Sequence, residues 1–233
     1  MQNNSGKEIK KLIGDDIPFK HNDFDPNNRQ PKILILGTRI TEKSIKAGYY
    51  YFGLTERENC FWNIMNYCFN EKDFETNDIQ KVTNALKRQN VVVSDLIYNC
   101  EYIGSSDKET VIGSEKPNIQ DLIALVKQAD VVILNGGYDA SKNKAGTLNY
   151  FHKFLSPFSN IVCKKNNNKV GESGIVYFSD NSRTYYLSLV STSSEARSIN
   201  SISAYKGKGY KDKRDAWKKE IEEFLNENNI HRY

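Results

Sequence analysis

The sequence predicts an α/β fold, a three-layer α/β/α sandwich around a mainly parallel central sheet. Three observations lead there. Short apolar runs recur at Ile33–Leu36, Val91–Val93 and Val131–Leu134, with a fourth at Leu187–Val190 broken only by Ser188, as in strands buried on both faces. Between them, apolar residues fall at helical spacing, and strand–helix alternation places helices on both faces of a parallel sheet. The length of 233 residues suits one such domain.

The elements follow in order. Residues 1–30 read as a polar N-terminal arm whose apolar cluster, Leu12, Ile13, Ile17 and Phe19, covers an edge of the domain. A single domain then spans 31–233. Its first strand starts after Pro31 and ends at Gly37. Phe61, Trp62, Met65 and Phe69 keep helical spacing from Asn59, and a second helix runs from about Ile79 to Arg88. Val91 opens the second strand, which ends near Ile97. Pro117-Asn118 opens a helix that buries Leu122, Ile123, Leu125 and Val126. The third strand runs into Asn135-Gly136-Gly137, and a helix follows over 144–155. Residues 161–186 are less regular. Lys164–Lys169 reads as a loop tip, and Gly174–Phe178 and Arg183–Tyr186 flank Asp180-Asn181 as a hairpin insertion. The fourth core strand, Leu187–Val190, leads into Ser191-Thr192-Ser193-Ser194. A last helix over 211–226 turns Trp217, Ile221, Phe224 and Leu225 inward.

Composition narrows the function. Aromatics make up 12% of the chain, with 14 Tyr and 11 Phe, which argues against a largely disordered chain and for an aromatic core. No run of about 18 apolar residues occurs, so no spanning helix is expected, and the first thirty residues lack the apolar stretch of a secretory signal. Cys60, Cys68, Cys100 and Cys163 form no C-x-x-C pair, and the three His (His21, His152 and His231) stand at no ligand spacing from them. The expectation is reduced core thiols in a cytoplasmic protein, with no metal and no membrane partner. Net charge is +4, but its distribution is uneven. From Arg197 to Lys219 eight basic residues stand against two acidic ones, a net of +6, with Tyr205 and Tyr210 among the lysines. A basic loop over 197–214 with aromatics suits a phosphate backbone, and a solvated surface loop is the alternative.

In open parallel sheets, ligands bind where chain leaves the carboxyl ends of the strands. Four connections qualify. One spans Gly37 to Trp62, about 25 residues, a length that is uncommon without a function. The others follow Ser94-Asp95, Asn135-Gly136-Gly137 and Ser191–Ser194. Each has a plainer reading. Asn59, Asp95 and Asp107 fit helix caps, Asn135-Gly136-Gly137 a tight turn, and Tyr49–Phe52 the core. Neither a G-x-G-x-x-G nor a P-loop pattern is present, and no G-x-S-x-G elbow exists.

Taken in order, these pieces resemble the uracil-DNA glycosylase superfamily, within it the mismatch-specific and DNA-deoxyinosine (hypoxanthine) glycosylase branch. Gly37-Thr38 closes the first strand, and Ser44–Tyr51 and Asn59-Cys60-Phe61-Trp62 stand where that branch carries Ser-Leu-x-x-x-x-Tyr-Tyr and Asn-x-Phe-Trp. Asp95, Cys100, Gly104-Ser105 and Asp107 match its Asp-x-x-x-x-Cys-x-x-x-Gly-Ser-x-Asp element. Asn135-Gly136-Gly137, Ser191-Thr192-Ser193 and Ala216-Trp217 complete the series, so the resemblance covers about Lys32 to Leu225. The departures concern the expected base pocket. Arg39-Ile40-Thr41 replaces Pro-Gly, Gly53–Glu58 replaces His-Pro-Arg, Ser94 stands where Trp is common, and Ser193-Ser194-Glu195-Ala196 replaces Ser-Pro-Ala-Asn.

The resemblance implies a monofunctional DNA N-glycosylase, a monomer acting on duplex DNA without cofactor. Asn59 is then the first candidate for the catalytic or water-orienting residue, with the carboxylates Asp95 and Asp107 as rivals. Thr38, Tyr50, Tyr51, Phe52, Asn135 and Gly136 would hold the base, and Ser191, Thr192, Ser193, Arg197, Lys206 and Lys208 the DNA. The substrate is a deaminated base such as hypoxanthine or uracil. The alternatives are a bulky modified base excised as antiviral defence, and a catalytically silent DNA-binding module.

Overall fold

The computed structural model describes residues 8–51, 60–103, 110–111, 113–136, 146–165, 172–192 and 210–232. In chain order the elements are β1 (Lys10–Leu12), β2 (Ile33–Arg39), α1 (Glu42–Ala47), α2 (Cys60–Phe69), α3 (Ile79–Gln89), β3 (Val91–Ile97), β4 (Cys100–Tyr102), α4 (Ile119–Gln128), β5 (Val131–Asn135), α5 (Thr147–Leu155), β6 (Ser159–Lys165), β7 (Ser173–Phe178), β8 (Arg183–Leu189) and α6 (Tyr210–Glu227).

Six strands form one sheet in the order β3-β2-β5-β8-β7-β6. β3, β2, β5 and β8 run parallel, and β7 is antiparallel to both neighbours. The fold is therefore α/β with a mainly parallel sheet, as the apolar runs predict. Alternation along β8 shows the three layers. Thr184 donates to the Val126 carbonyl of α4 at 2.7 Å, and Tyr186 packs on Phe151 of α5. Tyr185, pointing the other way, meets Phe224 of α6. β2 is buried at every position and β3 at all but one.

Several elements differ from the sequence reading. Arg183–Tyr186 and Leu187–Val190 are not two strands. One strand, β8, pairs with β7 along Arg183–Leu187 and with β5 along Tyr185–Leu189. β6 is an added edge strand. The long first connection contains α1, capped by the Thr41 side chain accepting from the Ser44 N–H and closed by Gly48 at φ 85°, a conformation that favours glycine. The helix after β5 begins at Thr147, and residues 137–145 lie outside the described set. α6 starts at Tyr210, so residues 210–214, placed above in the basic loop, are helical. Of the four cysteines, Cys163 is exposed rather than a core thiol.

The arm packs closely over residues 8–30. β1 pairs antiparallel with β4, Leu12 against Cys100. Asn22 donates to the Val91 carbonyl, and the Asp25 N–H donates to Asn90. With Leu12 and Phe24 buried, this strap lies along the β3 side of the sheet and covers backbone an edge strand would otherwise expose. No described helix is long and apolar enough to cross a membrane.

Candidate active site at the carboxyl rim

The parallel register aligns the candidate residues. Gly37 of β2 stands opposite Asp95 of β3, Leu36 opposite Leu134 of β5, and Asn135 opposite Leu189 of β8. Gly37-Thr38, Asp95, Asn135-Gly136 and Ser191-Thr192 therefore lie along one rim.

Two hydrogen-bonded clusters organise it. In the first, the Asn135 side chain and Thr192 form a closed pair. Asn135 Nδ2 donates to Thr192 Oγ1 and the Thr192 N–H donates to Asn135 Oδ1, both at 3.0 Å. Thr147 Oγ1 donates to the Asn135 carbonyl at 2.7 Å. Its one proton is thereby used, so Thr38 is the donor in the 2.9 Å contact between the two threonine hydroxyls. Gly136 has φ 89°, and its N–H donates to the Leu189 carbonyl. A Cβ there would come within 3.3 Å of Ser191 Cβ. The amides and hydroxyls of three strand ends and the first turn of α5 are thus locked together.

The second cluster surrounds Asp95. Tyr51 Oη donates to Asp95 Oδ1 over 3.4 Å. Both atoms sit over Gly37, where an added Cβ would clash with the carboxylate oxygen and the phenol oxygen alike. Only glycine allows that approach. The Tyr51 ring stacks on Phe61 at 4.2 Å between centroids. Phe61 in turn meets Trp62 and Trp217 edge-on, and Trp217 Nε1 donates to the Val190 carbonyl just before Ser191. Burial, then the nearby Asp95 charge, push the Tyr50 phenol well above its ordinary value.

Some assignments change. Tyr50 is buried, edge-on to Phe19 and to Tyr49, and its carbonyl accepts from Trp62 Nε1. Its ring packs in the core, as the plainer reading of Tyr49–Phe52 has it. Thr192 is buried and hydrogen-bonded to Asn135. Lys213, counted with the solvated charges of the basic run, is 8% exposed, and burial pushes its amine down from the ordinary lysine value. Thr38, Tyr51, Asp95, Asn135, Gly136 and Ser191 stay on the rim. Asn59, Asp107, Phe52, Ser193, Arg197, Lys206 and Lys208 lie outside the described residues.

Two features escape sequence reasoning. Thr147 carries no motif, although its place at the start of a helix beside a strand end is a usual location for such a hydroxyl. Arg39, which stands in place of Pro-Gly, is 3% exposed. Its guanidinium lies 4.4 Å from the Tyr102 ring centre, and Nη1 donates to the Ile40 carbonyl. The Tyr102 hydroxyl and the Lys10 amine both donate to Glu42 Oε1, so β1, β4 and α1 close around this arginine. No group of His, Cys, Asp and Glu among the described residues could hold a metal ion.

No family model matches the chain, and no curated protein matches it. Among solved structures, the chain is similar to a solution structure from Methanosarcina acetivorans named as a candidate uracil DNA glycosylase. The TM-score is 0.48 and the identity 17%, over 92% of this chain and 99% of that one. A likeness at this level says nothing of what this chain binds or cuts.

Proposed function

We propose that the protein is a DNA glycosylase that swings a damaged or modified base out of the duplex and hydrolyses its N-glycosidic bond. The observation that supports this reading best is the rim itself, along which a carboxylate and an oriented amide stand at separate strand ends, with a stacked aromatic pair beside the carboxylate.

Each part answers a need of the reaction. Extracting a base costs a few kcal/mol, which contacts in the pocket must offset. The Tyr51 ring, backed by Phe61, offers a face for stacking, together with Phe52. Cleavage builds positive charge on the sugar and negative charge on the leaving base. The resemblance puts Asn59 first for orienting water, with Asp107 a rival; the described rim favours Asp95, whose carboxylate either activates water or stabilises the sugar cation. Thr192 engages one N–H and one lone pair of the Asn135 amide, which leaves the other pair for the edge of the base. Gly136 lets backbone approach closely. Ser191, Ser193, Arg197, Lys206 and Lys208 hold the DNA backbone, and water is the nucleophile of a monomeric enzyme.

Deaminated bases such as hypoxanthine and uracil are the first substrates to try. One observation favours a second reading, in which a bulky modified base, for example a modified cytosine of phage DNA, is removed as antiviral defence. The buried Arg39 replaces Pro-Gly at the end of β2, so that corner of the pocket is rebuilt. Duplexes carrying uracil, hypoxanthine, xanthine or modified cytosine, assayed for alkali-labile abasic sites, separate the two. Sites on the first three alone remove the defence reading. DNA binding with no abasic site on any duplex leaves the silent module.

A further inference from the structure

We propose that Tyr51 is a positioning residue for Asp95, holding its carboxylate at the rim, rather than only a stacking face for the base. The inference rests on the glycosylase reading above and assigns Asp95 the charge-handling role within it.

Three features of the geometry carry it. The Tyr51 backbone has φ 55°, a left-handed conformation uncommon for an aromatic residue and one that must be held by its surroundings. What holds it is visible at both ends of the side chain. One face of the ring lies on Phe61, 25° from parallel, and the hydroxyl points at Asp95 Oδ1. Gly37 completes the arrangement, since any side chain there would collide with both the phenol oxygen and the carboxylate. A backbone turned to an unfavourable region, a ring clamped on one side and a glycine cleared beneath the contact all serve the same hydrogen bond. A ring that only stacked on a base would need none of the three.

The contact is long for a hydrogen bond. Catalytic contacts are often long without substrate and tighten once a bound substrate excludes water. Under those conditions a phenol O–H donated to one carboxylate oxygen fixes the carboxylate's rotation. The carboxylate is then held in one orientation at the rim, for the sugar or an attacking water. No proton needs to leave Tyr51 for this role.

Tyr51→Phe tests it, because phenylalanine keeps the ring and loses only the donor. The assay is excision on whichever duplex the wild type cuts, with kcat and KM separated, beside Asp95→Asn and the double variant. The expected result for Tyr51→Phe is a kcat lower by about tenfold to a hundredfold, the range for a hydrogen bond to a charged group, with KM within about twofold. The double variant falls no further than Asp95→Asn alone, as coupled residues do. Gly37→Ala, which crowds both atoms, lowers kcat likewise. Wild-type kcat in Tyr51→Phe, or losses that multiply in the double variant, overturns the assignment while leaving the glycosylase reading intact. A wild type that excises no base removes the glycosylase reading and the assignment with it.

Discussion

The two rims of the parallel sheet treat their asparagines differently. At the amino rim, Asn90 is the single residue between α3 and β3. It takes the left-handed conformation at φ 51°, accepts from the Asp25 N–H and donates to the Gln30 carbonyl. Every partner is backbone. Ile33 donates to the Asn90 carbonyl, and Asp130 and Lys32 exchange bonds beside it. The connection from α4 to β5 is just Ala129-Asp130. At the carboxyl rim, the connections run over 40–59, 98–118, 136–146 and 190–209. There the Asn135 side chain is held by both the hydroxyl and the backbone N–H of Thr192, and its carbonyl accepts from the Thr147 hydroxyl. One rim spends its polar groups on closing short turns, and the other builds an oriented set of hydroxyls, an amide and a carboxylate. Function is placed where chain length permits it.

That contrast can be broken by substitution, and the largest effect is expected at Asp95. Asp95→Asn should lower single-turnover excision by about a hundredfold to ten-thousandfold, the usual contribution of a positioned acid or base, with little change in melting temperature. Unchanged excision moves the chemistry to Asn59 or Asp107. Asn90→Ala should do the reverse. It loses two hydrogen bonds and puts alanine in a left-handed position, at a cost of about 2–4 kcal/mol in denaturant unfolding. The rate per folded molecule should stay at the wild-type value, and a fall would mean that the rims are coupled.

Thr192→Val is a smaller probe of the carboxyl rim. It removes the hydroxyl that accepts from Asn135 Nδ2, so the amide loses one of its two anchors. Stability should drop by about 1 kcal/mol and excision by roughly tenfold, because the amide no longer faces the base in one orientation. Equal excision by Thr192→Val would make the pair purely structural.

The smallest effect concerns Glu115, which ties the long connection after β4 to α5. Burial pushes its carboxyl up, but the Tyr150 hydroxyl, backbone N–H groups and the Lys153 amine outweigh that, and the net shift is downward. The stability it contributes is present above the ordinary carboxylate value and is lost as pH falls through the lower folded value. Glu115→Gln should be less stable at neutral pH and lose less on acidification below about pH 5, read from melting temperatures across pH. A parallel fall in the two proteins would contradict this.

The sequence makes the core plain. Ile33–Leu36, Val91–Val93 and Val131–Leu134 are apolar on both faces because helices cover both, and such runs read as central strands without further help. β8 is harder. Its burial alternates over Arg183–Tyr186 and is continuous over Tyr186–Leu189, and its partners change along its length, so Arg183–Tyr186 and Leu187–Val190 read as separate pieces. β6 has an open side and polar residues, so its pattern looks like loop. α1 carries a signal after all, a Thr41 cap with Gly48 at the far end, but it is short and lies inside a connection. The rim residues could be placed from strand ends, whereas their partners could not. Asn135 meets Thr192 across 57 positions, Thr38 meets Thr147 across 109, and Tyr51 meets Asp95 across 44. Such contacts belong to the folded chain, and periodicity carries no trace of them.

The most direct trial of the central claim incubates wild type and Asp95→Asn with the panel of modified duplexes, then treats both with alkali. Strand scission is expected at one class of modified base with the wild type and almost none with Asp95→Asn, although both retain the duplex. Intact strands throughout with the wild type, or equal scission by the two proteins, would contradict it.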